Sequence, residues 1–589
     1  ERAAAFIYKV PAPMSEQARQ GQRLYLEGLR ADGSPLVGRR SLAGGKPLTV
    51  SGAEAACVQC HKRSGLGSVE GDVLVSPVTG RSLFQPGGVA AVMDTRSRQL
   101  LNTAHPPYVD DQLAVALREG RNANGREMHD LMPRYTLGDA DVQALDAYLR
   151  TLSPTWSPGV TGKRVRLASV ITPDVDPALR KVAVDMIRGL VDRKNLATRP
   201  GRRHMVSALE FVLRTERNWE HEIWELTGPS DTWAAQLQER QARNPVFAIA
   251  SGVMRDGAPL HEFCQREQLP CWFPVAQALP ASAATDAYGL YFSSGVSLEA
   301  DVMALKLQDA LRLAANSNEK RAPRVLQLVS ADPVGQRGAD ELKLRLAADR
   351  LSLSQETVDP QRVAHMADAI AALRPQDSLV LWLRPAEMAA LTALPAPRAA
   401  VWVGTIMGSG DKLELPTAWH ARTSRIYPYE LPAQRVGNLS GLRSWLGLAK
   451  LPMVDEAMQS QLYFAMTFLN ETLGEMLQNL HRDYLVERAE SMLDRRESKT
   501  ASAEMVAQRS LRRVALDLRA KQEQMPQETD SAVPRVTQAE LTTQRAGTTI
   551  YPRLTLGPGQ RFASKGAWVL GPSASGEFPS AAGADWVAP

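Results

Sequence analysis

Two rhythms of apolar and polar positions divide the chain. Up to about residue 153, apolar residues recur at helical spacing in separate segments. Ala18, Gly21, Leu24 and Tyr25 do so within Ser15–Leu29, and Leu113, Val115, Ala116 and Leu117 within Tyr108–Gly120. Val142, Leu145 and Leu149, with Tyr148 beside them, do so within Asp139–Leu152. Each pattern predicts an amphipathic helix. Residues 30–56 between the first helix and the rest are rich in Gly, Ser and Pro and read as loop. From about residue 163 the rhythm changes to short apolar runs: Val165–Ile171, Glu222–Leu226, Val246–Ala250, Leu269–Pro274, Tyr288–Phe292, Arg324–Val329, Leu379–Leu383 and Ala399–Val403. These read as strands. Between them lie helical patterns at Pro177–Leu196, Thr232–Asn244, a segment ending at Gln265, Leu298–Ala315, Gly338–Asp349 and around Pro385–Leu391. Such alternation predicts parallel sheets with right-handed crossovers, whose ligands lie beyond the strand carboxyl ends.

The punctuation gives boundaries. Residues 1–12 read as an extended arm, 13–153 as a first domain and 154–162 as a linker carrying Pro154, Pro158 and Gly159. Residues 163–570 read as the α/β part and 571–589 as a flexible Gly/Ser/Ala/Pro tail. Within the α/β part, Asp455–Asp494 predicts one long helix, apolar at first and charged past Arg482. Gln508–Gln524 predicts a helix with a basic face, and Thr549–Leu570 two closing strands.

Composition narrows the class. The 589 residues exceed one core, and 44% hydrophobic with 23% charged residues is ordinary for a globular chain. No apolar run reaches the roughly 18 residues of a membrane span. A net charge of +5 is small for this length, and no basic patch interleaved with aromatics points to nucleic acid. The chain opens at Glu1 without methionine, as an exported protein does once its signal peptide is removed; a trimmed chain would look the same.

Candidate chemistry centres on Cys57-Val58-Gln59-Cys60-His61. C-x-x-C-H is the attachment motif of c-type haem: two thiols form thioethers to the vinyl groups and the histidine gives a nitrogen to iron. A methionine often completes the iron and raises its potential. Met132, followed by Pro133, is the candidate, with Met128 and His129 close by as alternatives. Residues 13–153 resemble class I c-type cytochromes in the order helix, CxxCH, loop, helix, Met-Pro, helix. Arg121–Leu152 is similar to the cytochromes that accompany periplasmic dehydrogenases. The resemblance implies an all-α cytochrome c domain with one covalent haem c, His61 and Met132 as axial ligands, and a small residue and an aromatic of the first helix facing the last.

Residues 163–570 resemble the type I periplasmic substrate-binding proteins of the branched-chain amino-acid group. Pro245–Pro274 carries most of this, with a strand, a Ser-Gly turn, a helix and Leu269-Pro270-Cys271-Trp272-Phe273-Pro274. Tyr291-Phe292-Ser293-Ser294 matches the entry into the second lobe. The resemblance implies two α/β lobes with a ligand between them, held at Ser251, Gly252 and Ser293. The sequence departs from the family at Val253-Met254-Arg255-Asp256, where small hydroxyl residues are expected, and no acidic residue stands ready for an amino group. Ser251-Gly252 reads equally as a plain turn at a strand end. Cys264 and Cys271 sit where a helix end, a turn and a strand start can bring two thiols together. They read as a disulfide in an exported protein, or as two buried thiols.

No paired carboxylates, phosphate loop or Ser/His/Asp order emerges. The sequence therefore reads as a periplasmic monohaem cytochrome, an electron carrier rather than an enzyme. It would pass electrons from a periplasmic oxidoreductase to another cytochrome or oxidase, with the binding-protein part docking that partner or holding a small molecule. The second reading is a substrate-binding protein of a transporter or sensor with haem as a redox gauge. A haem enzyme, the third, needs an open iron site.

Overall fold

The computed structural model describes residues 14–41, 46–70, 73–85, 105–198, 217–315, 323–347, 352–359, 366–408, 410–497, 549–576, 578 and 584–589. The expected arm at 1–12 and the basic helix Gln508–Gln524 lie outside the described residues. In the first unit, helix α1 (Glu16–Glu27) begins where Ser15 Oγ accepts the Ala18 N–H at 3.1 Å and ends at Gly28 in the left-handed region. Helices α2 (Val58–His61), α3 (Gln112–Glu119) and α4 (Asp139–Leu149) follow, with a one-turn helix at Gly80–Phe84 between α2 and α3. Helices α1 and α4 cross in contact. A Cβ on Gly21 would lie 2.0 Å from the Ala144 carbonyl oxygen, so only glycine permits this approach. Beside it the Tyr25 and Tyr148 rings meet at 5.3 Å. The small residue and the aromatic of the first helix thus face the last helix as expected. Ser15→Ala should cost about 1 kcal/mol of this unit's stability, seen as a lowered denaturation midpoint.

The unit is not all-α. Strand β1 (Val37–Ser41) pairs antiparallel with β2 (Pro47–Ser51) on one side and β3 (Arg134–Tyr135) on the other. These strands carry Arg39, Arg40 and Pro47 and lack the apolar alternation that marks a half-buried strand. That is why the segment reads as loop.

The second rhythm folds into two lobes. Lobe 1 holds β4 (Arg164–Ile171), α5 (Pro177–Ala197), β5 (Asn218–Glu225), α6 (Trp233–Arg243), β6 (Ala248–Val253), α7 (Ala258–Arg266), β7 (Cys271–Trp272) and β8 (Gly289–Leu290). Its sheet is parallel throughout, in the order β8-β7-β6-β4-β5. Lobe 2 holds α8 (Val296–Ala315), β9 (Arg324–Val329), α9 (Pro333–Arg345), β10 (Ser352–Thr357), β11 (Ser378–Trp382), β12 (Ala400–Gly404) and β13 (Thr423–Tyr427). Helix α10 (Glu456–Met476) follows, and β14 (Ala567–Leu570) and β15 (Ala584–Val587) close the chain. The order in the second sheet is β10-β9-β11-β12-β13-β14-β15, parallel as far as β13 and antiparallel beyond. The expected flexible tail therefore contributes an edge strand, while of the two closing strands expected in Thr549–Leu570 only β14 forms.

Helix α10 returns to lobe 1. Trp272, fully buried, donates from Nε1 to the Ala465 carbonyl at 2.8 Å and meets the Phe468 ring at 5.2 Å. The long helix expected to reach Asp494 breaks at Leu477, whose φ is +54°, and resumes over residues 482–497. Arg482 lies at the restart and donates to the carbonyls of Val246 at 2.6 Å and of Phe247 and Glu267 at 3.2 Å. Among the described residues the chain passes between the lobes three times: after β8, after β13, and between Leu556 in the lobe 1 core and β14.

The first unit sits against lobe 1. The Ser64 N–H donates to Glu487 at 2.9 Å, and Arg63 pairs at 3.4 Å with Asp483, which also accepts from Tyr288 at 2.9 Å. In the linker, Trp156 Nε1 donates to the Gln478 carbonyl at 2.7 Å and the Ser157 N–H to that of Leu480 at 3.1 Å. Leu485 and Val486, on the helix that carries Asp483 and Glu487, belong to the lobe 1 core.

Candidate functional site

Parallel sheets leave their strand carboxyl ends free to carry side chains into a crevice. On lobe 1, β6 ends at Val253 and delivers Met254 and Arg255; on lobe 2, β11 leads to Arg384 and β12 to Thr405, Ile406 and Met407. These residues line one cleft of about 660 Å³ between the lobes, with Ser293, Tyr429 and Tyr551 at its hinge side. That is the size of a small-molecule site.

The polar groups divide by whether the chain already satisfies them. Asp411 accepts from Tyr427 Oη at 2.6 Å and from Arg435, and Arg435 also pairs with Glu456 at 3.0 Å. Burial pushes the Asp411 carboxyl up, but the Arg435 guanidinium and the Tyr427 hydroxyl outweigh it and hold the group below the usual range. Asp176 and Asp455 cap helices, accepting from the N–H groups of Ala178 and Met458 at 2.8 Å. Arg384 donates from Nε to Asp332 at 2.5 Å and from Nη1 to Gln277 at 2.8 Å. Its Nη2 is buried with no hydrogen-bond partner among the described residues.

Glu299, fully buried on α8, supports the lobe 2 wall from behind. Its Oε1 accepts the N–H groups of Thr405 at 2.5 Å and Ile406 at 3.0 Å, and burial pushes the carboxyl up to about 8. Gly404 is required here, because a Cβ would lie 2.1 Å from Glu299 Oε2.

Of the residues expected from the sequence, Ser293 lines the cleft, its Oγ accepting the Gly295 N–H at 3.2 Å. Ser251 and Gly252 do not line it. Ser251 is buried with φ +71° and donates from Oγ to the Phe273 carbonyl at 2.9 Å. A Cβ on Gly252 would lie 2.2 Å from the Val170 carbonyl oxygen. Both belong to the sheet, and the next residues of the same strand reach the cleft instead. Arg384, Thr405 and Ile406 were not singled out by the sequence; their one signal is that each follows the end of a predicted strand. Cys264 and Cys271 do come together, but as two buried thiols in hydrogen-bond contact rather than a disulfide.

In the first unit, Cys57 precedes α2, buried, with its thiol pushed up to about 12 by desolvation. Cys60 is half-buried, and His61 Nδ1 lies 2.9 Å from the Ser76 carbonyl oxygen. Met132 is half-buried against the apolar core that contains Cys57, and its carbonyl accepts from Arg134 at 2.6 Å. Among the described residues, no group of three or more His, Cys, Asp or Glu side chains is placed to hold a metal ion. No described helix is long and apolar enough to cross a membrane.

No family model and no curated protein matches the chain. Solved structures similar to it include a branched-chain amino acid transporter protein from Thermus thermophilus with bound valine, at 10% identity, 72% of this chain, 97% of that chain and TM-score 0.44. A branched-chain amino acid transporter substrate-binding protein from Streptococcus pneumoniae, in complex with isoleucine, matches at 9% identity over 72% of this chain and all of its own, with TM-score 0.44. A fatty acid ABC transporter substrate-binding protein from Thermomonospora curvata matches at 11% identity, 74% of this chain, 94% of that chain and TM-score 0.42. The expectation of a monohaem electron carrier is corrected: among the described residues no group of three or more His, Cys, Asp or Glu side chains stands ready to hold a metal ion. The expected haem c and its iron fall with it. What stands is the two-lobed α/β architecture with largely parallel sheets.

Proposed function

We propose that this chain is an exported, non-enzymatic binding protein that holds a small molecule in the cleft between its lobes and presents the closed form to a membrane transporter or sensor. The observation that carries this is the cleft itself, about 660 Å³ in volume and formed by the strand carboxyl ends of two sheets. Three chain crossings give those sheets a hinge, the usual device by which two lobes close on a ligand. Ser293 lies at the hinge side of the cleft, beside Tyr551.

A ligand that binds only the folded, closed form stabilises it by mass action, by about 2.7 kcal/mol at a hundredfold excess over Kd. A metabolite screen by thermal unfolding should therefore find compounds that raise the midpoint, and small-angle scattering should show the radius of gyration falling when they bind. Filling the cleft with Ile406→Trp, at a half-buried lining residue, should abolish both effects, and circular dichroism checks that the variant stays folded. A screen in which no compound raises the midpoint or contracts the protein would sink the proposal.

A further inference from the structure

The loop between β12 and the short helix Thr417–His420 belongs to lobe 2, yet its Asp411 is gripped from lobe 1. Arg435 donates to both carboxylate oxygens, from Nη1 to Oδ1 at 3.2 Å and from Nη2 to Oδ2. Arg435 lies past the crossing after β13, on the helix Pro432–Asn438. The next helix, Ser440–Ala449, fixes that segment to lobe 1 through Trp445. Its indole packs on α5, where a Cβ at Gly189 would lie 3.2 Å away, and meets the Tyr463 ring of α10 at 5.9 Å. The ion pair therefore bridges the lobes, and both of its residues line the cleft.

The two ends of the bridge are built differently. On lobe 1 the Arg435 side chain is 5% exposed and has a second acid, Glu456, at 3.0 Å, which Arg443 shares at 2.9 Å. On lobe 2 the Asp411 side chain is 43% exposed and accepts the Tyr427 hydroxyl at 2.6 Å. Gly410, just before it, has φ +65°, and a Cβ there would meet nothing within 4 Å, so packing does not wedge the loop. Breaking a buried ion pair is costly when it leaves a charge alone. Here it does not: on parting, Arg435 keeps Glu456, while Asp411 keeps Tyr427 and gains water.

We propose that Asp411 and Arg435 form a reversible strap between the lobes, which draws the cleft shut in the absence of a ligand and lets go when the lobes part. This rests on the cleft being a hinged binding site. It adds that the closing equilibrium is set in part by the protein's own charges, with the ligand completing what the strap begins.

The test is small-angle scattering on the full chain without ligand, which reads the balance of closed and open forms through the radius of gyration. Asp411→Asn should lower the closed-to-open ratio by about tenfold, as the loss of a two-pronged charge-assisted contact implies, and raise the radius. Asp411→Arg, which sets two guanidinium groups against each other, should raise it further. Asp411→Glu, which keeps the carboxylate, should bring it back toward the native value. Circular dichroism checks that each variant folds. A native radius in both Asp411→Asn and Asp411→Arg would overturn the strap. If compounds from the thermal screen still contract those variants, the hinged cleft stands without it; if no compound contracts either the variants or the native protein, both readings fall.

Discussion

Trp272→Ala should lower the stability of lobe 1 by about 4 kcal/mol, at the upper end of large-to-small core substitutions. Trp272 is fully buried and holds β7 to α10, two elements 184 residues apart from Trp272 to Glu456. Truncation removes the indole from between Phe273 and Phe468, at 5.5 and 5.2 Å, and takes away the N–H it donates to the Ala465 carbonyl. Both losses add, because the cavity is walled by sheet on one side and helix on the other. Trp272→Phe should keep most of the packing and lose chiefly the hydrogen bond, for about 1–2 kcal/mol. Equilibrium denaturation of the two variants separates these contributions. An alanine variant within about 1 kcal/mol of the native protein would show that the site collapses and that the two elements do not depend on this side chain.

The pH dependence of stability should carry the signature of Glu299. Its carboxyl is pushed from 4.5 up to about 8 by burial. Below pH 4.5 the group is protonated in both states and adds nothing. Between about 4.5 and 8 the unfolded chain loses the proton while the folded chain keeps it, so stability falls as pH rises. The slope is about 1.4 kcal/mol per pH unit from this group alone. Above about 8 the cost is complete and the contribution levels off. Glu299→Gln, which keeps an acceptor for the Thr405 and Ile406 N–H groups, should remove this slope. Urea denaturation at pH 5, 6.5 and 8 measures it; native and variant curves that fall in parallel would refute the assignment.

The α/β lobes were the legible part of the fold, since a buried parallel strand is a short apolar run and little else resembles it. Arg324–Val329 coincides with β9 residue for residue. The strands of the first unit were illegible for the opposite reason: β1 and β2 are mostly exposed or half-buried and carry no alternation. The break at Leu477 was hidden because apolar residues continue through it at Leu480, Leu485 and Val486, as they would in an unbroken helix. The cleft was the least legible. Arg255 and Arg384 are 129 positions apart and follow unremarkable strand ends. Their shared cavity exists only after two sheets have been wound and joined. Ser251-Gly252 fell short because a strand end read from apolar residues stops where the sheet continues, and β6 runs on to Val253.

The way the first unit is fastened has a mechanical consequence. The junction contacts described above, from Ser64 to Glu487 and from Trp156 to Gln478, reach lobe 1. When the hinge bends, the unit must travel with that lobe as a passenger on one jaw, and a small rotation at the crossings becomes a longer arc at its far end. A fluorophore on α3 paired with one on an exposed position of β10 would therefore turn cleft closure into a distance signal, with neither dye near the cavity.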